Sequence, residues 1–221
     1  MTRRLAVIPL FAVLALPGLP VVADEAAPEV SMDGLELVEK DRRGEIYADP
    51  GIDWSTYDRI MLDMATVAFR KNWQRDQNRA QPFKIRTKDM ERIKSELSDL
   101  FGEVFAHELG EGGYVLVTEP AEDVLHIAPH IVDLDVYAPD TRGSATRTVS
   151  YAEQAGRMTL RLDIFDAVTG DLIAKASDRQ EAPRRGYMQW TTSATNRAEA
   201  RRMIEKWARE LRTRLDEARG G

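Results

Sequence analysis

RMTLRLDIFDAVTGDLIAKAS, residues 157–177, decides the fold. Met158, Leu160, Leu162 and Ile164 fall on one side of an extended chain, and Thr159, Arg161 and Asp163 fall on the other. That period of two marks a strand with one buried face. Asp166 to Asp171 supplies a turn, with Gly170 placed for a left-handed conformation, and Leu172 to Ser177 returns. An antiparallel hairpin of this kind exposes one face to water and needs an apolar cover on the other.

Two segments provide the cover. From Thr87 to Leu109, Met90, Ile93, Leu97, Leu100, Phe101, Val104 and Phe105 recur at spacings of three and four, one stripe of a helix. Thr87 suits the cap, Asp89 the positive end of the dipole and Gly110 the stop. Gly102, unfavourable inside a helix, is read as a point of close packing on the sheet. From Asn196 to Ala218 a second stripe carries Ala200, Ile204, Trp207, Ala208, Leu211 and Leu215. Its wet face sets Glu205 before Arg209 and Glu210 before Arg214 at the favourable spacing.

The remaining strand signals are shorter. Glu45 to Ala48, Tyr57 to Asp63, Thr66 to Arg70, Tyr114 to Val117 and Val124 to Tyr137 read as extended, and the apolar phase of the last slips around Pro129, as at a bulge or an edge. Asn72 to Phe83 is polar and reads as loop, as do Ala138 to Thr148 and Arg179 to Trp190. The expected fold class is α+β: a mainly antiparallel sheet of five to six strands with two amphipathic helices on one face.

Upstream of this domain the chain changes character. Thr2-Arg3-Arg4, the apolar run Leu5 to Leu16, Pro17-Gly18 and the small residues of Val21-Val22-Ala23 form a secretory signal, so residues 1–23 are expected to be removed. The run is shorter than the roughly 20 residues that a membrane span requires. No later segment is apolar enough, and no transmembrane span is expected in the mature chain. Residues 24–43 are acidic and read as a leader, with Leu35, Leu37 and Val38 available for a brief docking contact. Residues 44–221 read as a single α+β domain.

Of 221 residues, 43% are hydrophobic and 31% charged, a globular composition, and the net charge is −6. Loss of Arg3 and Arg4 with the signal lowers that charge to −8, which argues against nucleic acid or anionic lipid as a non-specific partner. The chain has no cysteine, excluding disulfides, thiolate chemistry and lipidation at a signal-peptide cysteine.

No constellation of catalytic or cofactor type stands out, so the expectation is no enzyme, no cofactor and no metal. His126 and His130 are four apart, but along a strand that spacing spans about 13 Å, too far for one ion. His107 completes the histidines and stands elsewhere. Asp133 and Asp135 share a face of an extended chain and precede a polar loop, where acids are commonly solvated. There is no serine in a Gly-x-Ser-x-Gly turn and no phosphate-cradling glycine loop. The binding candidates are Arg142, Arg147, Arg184 and Arg185 in two long loops, with Tyr187 and Trp190 nearby. Together they would make a basic, aromatic-edged surface for an anionic group or an acidic partner.

The order of short motifs resembles a known family. Gly44-Glu45-Ile46-Tyr47-Ala48-Asp49-Pro50-Gly51, Trp54 to Asp63, Val67-Ala68-Phe69 with Trp73, Tyr114 to Val117, Asp123 to Leu125, Ala155 to Arg161, Asp166 to Ala174 and Trp207-Ala208 are similar to the bacterial envelope family called domain of unknown function 3313. That resemblance implies an envelope address, since its members are typically predicted lipoproteins of Gram-negative bacteria. It implies no catalytic residues. This chain differs in lacking the lipidation cysteine. The functional expectation is an exported, periplasmic, non-catalytic binding or assembly protein of the cell envelope, acting on another envelope protein or a cell-wall component. The alternatives are a small-ligand-binding protein with a pocket between helices and sheet, which a concave cavity would favour, and a hydrolase. N-terminal mass analysis of the exported protein is expected to begin at Asp24; an intact Met1 in membrane fractions would contradict the export reading.

Overall fold

The computed structural model describes residues 30–31, 33–80, 84–136, 150–152, 156–182, 189–191 and 193–220. The elements run β1 (Glu36–Lys40), β2 (Gly44–Ala48), a 3₁₀ turn (Trp54–Thr56), β3 (Arg59–Leu62), β4 (Thr66–Phe69), α1 (Trp73–Ala80) and α2 (Thr87–Glu111). They continue with β5 (Val115–Leu116), β6 (Val124–Val136), β7 (Ser150–Ala152), β8 (Gly156–Asp166), β9 (Leu172–Glu181), β10 (Gln189–Thr191) and α3 (Ser193–Ala218).

Among the described residues these strands form an eight-stranded mixed sheet in the order β1-β2-β9-β8-β6-β3-β5, with β4 also paired to β6, and a separate β7–β10 ladder. The α+β class holds, but the expectation of five to six mainly antiparallel strands is too simple. β3 and β4 run parallel to β6, and β5 runs parallel to β3. The cause is α2, whose 25 residues carry the chain from β4 back to the start of the sheet, a crossover that returns the next strand in the same direction. The β8–β9 hairpin forms as read, with Gly170 at φ +73°.

A third helix occupies the segment read as loop. α1 has no apolar stripe and is held by its first residue: Trp73 is buried, stacks on Phe69 at 4.1 Å and donates its indole N–H to the Val136 carbonyl at 3.2 Å. Gln74 and Asn78 then hold Ile85 through its backbone. The sheet also begins earlier than Gly44, since β1 lies inside the acidic stretch; Leu35 is buried, whereas Val38 is 61% exposed.

Pro129 causes no break. It pairs in register with Leu162, and the slip falls at Asp133, whose φ is +52°. Ile127 turns its carbonyl toward Asp63 of the β3 side, so Pro129, two residues on, turns its missing N–H the same way. There β3 has ended and β4 has not begun, and no donor is needed. The bulge separates Asp133 from Asp135: the first is exposed and the second 2% exposed.

Both long helices lie on one face of the sheet and share one core. Phe101 and Phe105 of α2 stack at 3.9 Å, and Ile204, Trp207 and Ala208 of α3 join them over Ile127, Ile131, Leu160 and Leu162. Thr87 is not the cap of α2; Arg86 is, with its N–H held by the Asp89 carboxylate at 2.9 Å. Tyr57 ties the 3₁₀ turn to the β8–β9 hairpin by donating to Asp166 at 2.9 Å, and burial with that carboxylate pushes its hydroxyl up to about 12.

The glycines separate three effects. A Cβ on Gly44 would overlap the Ser177 carbonyl across the β2–β9 ladder, Gly170 needs only its positive φ, and a Cβ on Gly102 would meet nothing within 4 Å. Close packing therefore does not explain Gly102. Denaturant melts are expected to show Gly170→Val destabilised by about 1–3 kcal/mol, Gly44→Ala by more, and Gly102→Ala stabilised by up to about 1 kcal/mol. An unchanged midpoint for Gly44→Ala would contradict the close strand approach.

Candidate functional site: a groove beside the last helix

Arg142, Arg147, Arg184, Arg185 and Tyr187 lie outside the described residues. Trp190 is placed by its backbone, in β10 opposite Tyr151 of β7. His126 and His130 sit on the sheet face away from the helices, each engaged separately, and His107 lies in α2. His126 meets Asp63 at 2.8 Å; His130 meets Thr66 at 2.8 Å and Asp163 at 3.5 Å. Among the described residues no group of three or more His, Asp or Glu side chains is arranged to hold a metal ion. Asp135 is clamped by Arg70 at 2.9 Å and Arg157 at 3.2 Å, the pairing a buried carboxylate requires.

The concave feature is elsewhere. Seven strands at about 4.8 Å spacing make a sheet roughly 29 Å wide, while two packed helices shield about 20 Å. β1, β2 and β9 therefore extend past α3, and the uncovered strip forms a groove of about 420 Å3. Its floor comes from Leu160, Leu162 and Ile164 of β8 and from Ala174 and Ala176 of β9. One wall is α3, through Trp207, Leu211 and Leu215; the other is Ile46 and Ala48 of β2, with Trp54 alongside. The alanines leave open the space that a larger side chain would fill.

Charged groups line the rim. Arg214 reaches from α3 to Glu39 of β1 at 2.5 Å and to Glu210 at 3.7 Å, strapping the outermost strand to the helix. Trp207 donates its indole N–H to Asp178 at 2.7 Å, and Asp178 faces Arg43 at 3.8 Å. That carboxylate raises the Arg43 pKa, while the backbone N–H groups of Arg43 and Gly44 hold Asp41 below the usual carboxylate range. A smaller cleft of about 110 Å3 lies between the first halves of α2 and α3, where the side-chain oxygens Asp135 Oδ1 and Asn196 Oδ1 are buried without a partner.

A pocket between helices and sheet is one of the alternatives expected from the sequence, but nothing in the sequence locates it here. Its residues are those of ordinary strands and an ordinary amphipathic helix, and only small Ala174 and Ala176 amid larger apolar neighbours hint at unfilled space.

With this geometry the sequence profile of a family described as proteins of unknown function, DUF3313, matches residues 29–211. The chain belongs to that family. No curated protein matches the sequence. Among solved structures, the DUF3313 chain is similar to the PelC dodecamer from Paraburkholderia phytofirmans, at 9% identity and TM-score 0.39 over 76% of this chain and 97% of that one. It is also similar to a DUF330 protein from Xanthomonas campestris, at 9% identity and TM-score 0.43 over 75% and 86%. A DUF4136 protein from Bacteroides thetaiotaomicron matches at 10% identity and TM-score 0.32 over 80% and 98%. No helix among the described residues is long and apolar enough to cross a membrane.

Proposed function

We propose that this DUF3313 protein is an exported, non-catalytic binding protein of the bacterial cell envelope, and that its ligand is a small, largely apolar molecule held between α3 and the β1–β2–β9 wing. The groove carries this reading. Its volume of about 420 Å3 lies within the range of small-molecule sites, and its surface is predominantly apolar with polar groups confined to the rim. The smaller cleft falls below that range.

The absence of catalysis is supported by how the candidate acids and bases are engaged. Asp135 is neutralised by two guanidiniums, and His126 and His130 each face their own carboxylate on the open side of the sheet, away from the groove. Among the described residues the groove lining includes no histidine, serine hydroxyl pair or metal-ligand set, and the one serine there, Ser177, is a strand residue paired with Glu45. Periplasmic export is supported by the signal-like residues 1–23, and an envelope role by the family's character.

Filling the groove tests the reading. A solvatochromic apolar dye is expected to bind the native protein with one site and a blue-shifted emission. In Ala176→Trp, where an indole occupies the floor, affinity is expected to fall by about tenfold or more, roughly 1.4 kcal/mol, while the thermal midpoint changes little because Ala176 borders open space. Undiminished dye binding by a folded Ala176→Trp protein would place the site elsewhere.

A further inference from the structure

The rim of the groove constrains what its occupant carries at the end of the apolar part, an inference that rests on the groove being the ligand site. Five carboxylates line it, from Glu39, Asp41, Asp178, Glu210 and Glu217, against two cations, Arg43 and Arg214; Glu45 and Lys175 alternate to the other face of their strands. Both cations are already in ion pairs: Arg43 with Asp41 and Asp178, and Arg214 with Glu39 and Glu210. A free carboxylate or phosphate arriving here would find net negative charge and cations already neutralised, so anionic head groups are disfavoured.

One polar atom at the rim asks for an acceptor. Arg214 Nε is buried and has no hydrogen-bond partner, although the same guanidinium reaches Glu39 through Nη2. A buried donor left unpaired is costly, and a ligand that supplies an acceptor recovers that loss. The Arg214 side chain is 33% exposed and lines the groove, beside the space an occupant would fill. A quaternary ammonium head suits the charge but offers no acceptor. A neutral carbonyl satisfies both conditions.

We propose that the groove takes the acyl chain of an uncharged lipid ester of the acylglycerol type. The ester carbonyl accepts from Arg214 Nε, and the glycerol hydroxyls donate to rim carboxylates such as Glu217. Calorimetric titration of the purified protein with glyceryl monolaurate, laurate and dodecyltrimethylammonium, each below its micelle concentration at neutral pH, tests this. The three share an apolar chain of similar length and differ at the head. The ester is expected to bind about tenfold tighter than either charged amphiphile. Arg214→Met, which keeps an apolar stem and removes the donor, should abolish that preference. Glu39→Gln, which weakens the strap but leaves Nε in place, should retain it.

Laurate binding as tightly as the ester, or an ester preference that survives in Arg214→Met, overturns the head-group assignment and leaves the apolar groove standing. Equal loss of the preference in Glu39→Gln and Arg214→Met overturns it too, by showing that the strap alone matters. Failure of all three compounds to bind overturns the groove as a ligand site.

Discussion

The width of the sheet against the width of its helical cover is the constraint from which the rest of this structure follows. α2 and α3 meet over the central strands, where Phe101, Phe105, Ile204 and Trp207 exclude water from Ile127, Ile131, Leu160 and Leu162. Burying one such large side chain contributes about 1.5–3 kcal/mol, so the centre is where the helices are held. The outer strands then have no helix above them. On the β9 side the protein bridges the gap with a strap, Arg214 to Glu39, and with small side chains. On the β3 side it shortens the strands: β5 has only two residues, with Val115 57% exposed at the edge. Short edge strands limit pairing with other chains.

Each face of β6 and β8 has a separate chemistry as a result. The helix face is apolar and continuous with the groove. The opposite face carries local pairs, His126 with Asp63, His130 with Asp163 and Lys175 with Asp33, while Asp135, held by Arg70 and Arg157, turns into the cleft between α2 and α3.

Much of this architecture was legible in the sequence because it depends on local period. The alternation of Met158 to Ile164 places β8, the stripes through Phe101 and Trp207 place both long helices, and Gly170 marks the hairpin. What was not legible depends on contacts between distant residues. α1 has no stripe and rests on Trp73 meeting Phe69 and Val136, a contact that no nearby spacing encodes. Parallel pairing of β3 with β6 is a property of the α2 crossover rather than of either strand. The bulge at Asp133 was misassigned to Pro129 because proline is the visible breaker, whereas the gap between β3 and β4 accommodates it. The position of the groove was illegible for a related reason: empty space is set by what fails to cover Ala174 and Ala176. The arginines of the two long loops fall outside the described residues, and their reading as a binding surface rests on composition alone.

The central claim is that the strip left uncovered beside α3 holds an apolar molecule. Native mass spectrometry of the protein released from the cell envelope without detergent tests it most directly. The account predicts a population heavier than the polypeptide by the mass of one neutral lipid, converted to the bare mass by mild organic extraction. A bare polypeptide mass throughout, from cells in which the protein is correctly exported and folded, would contradict it.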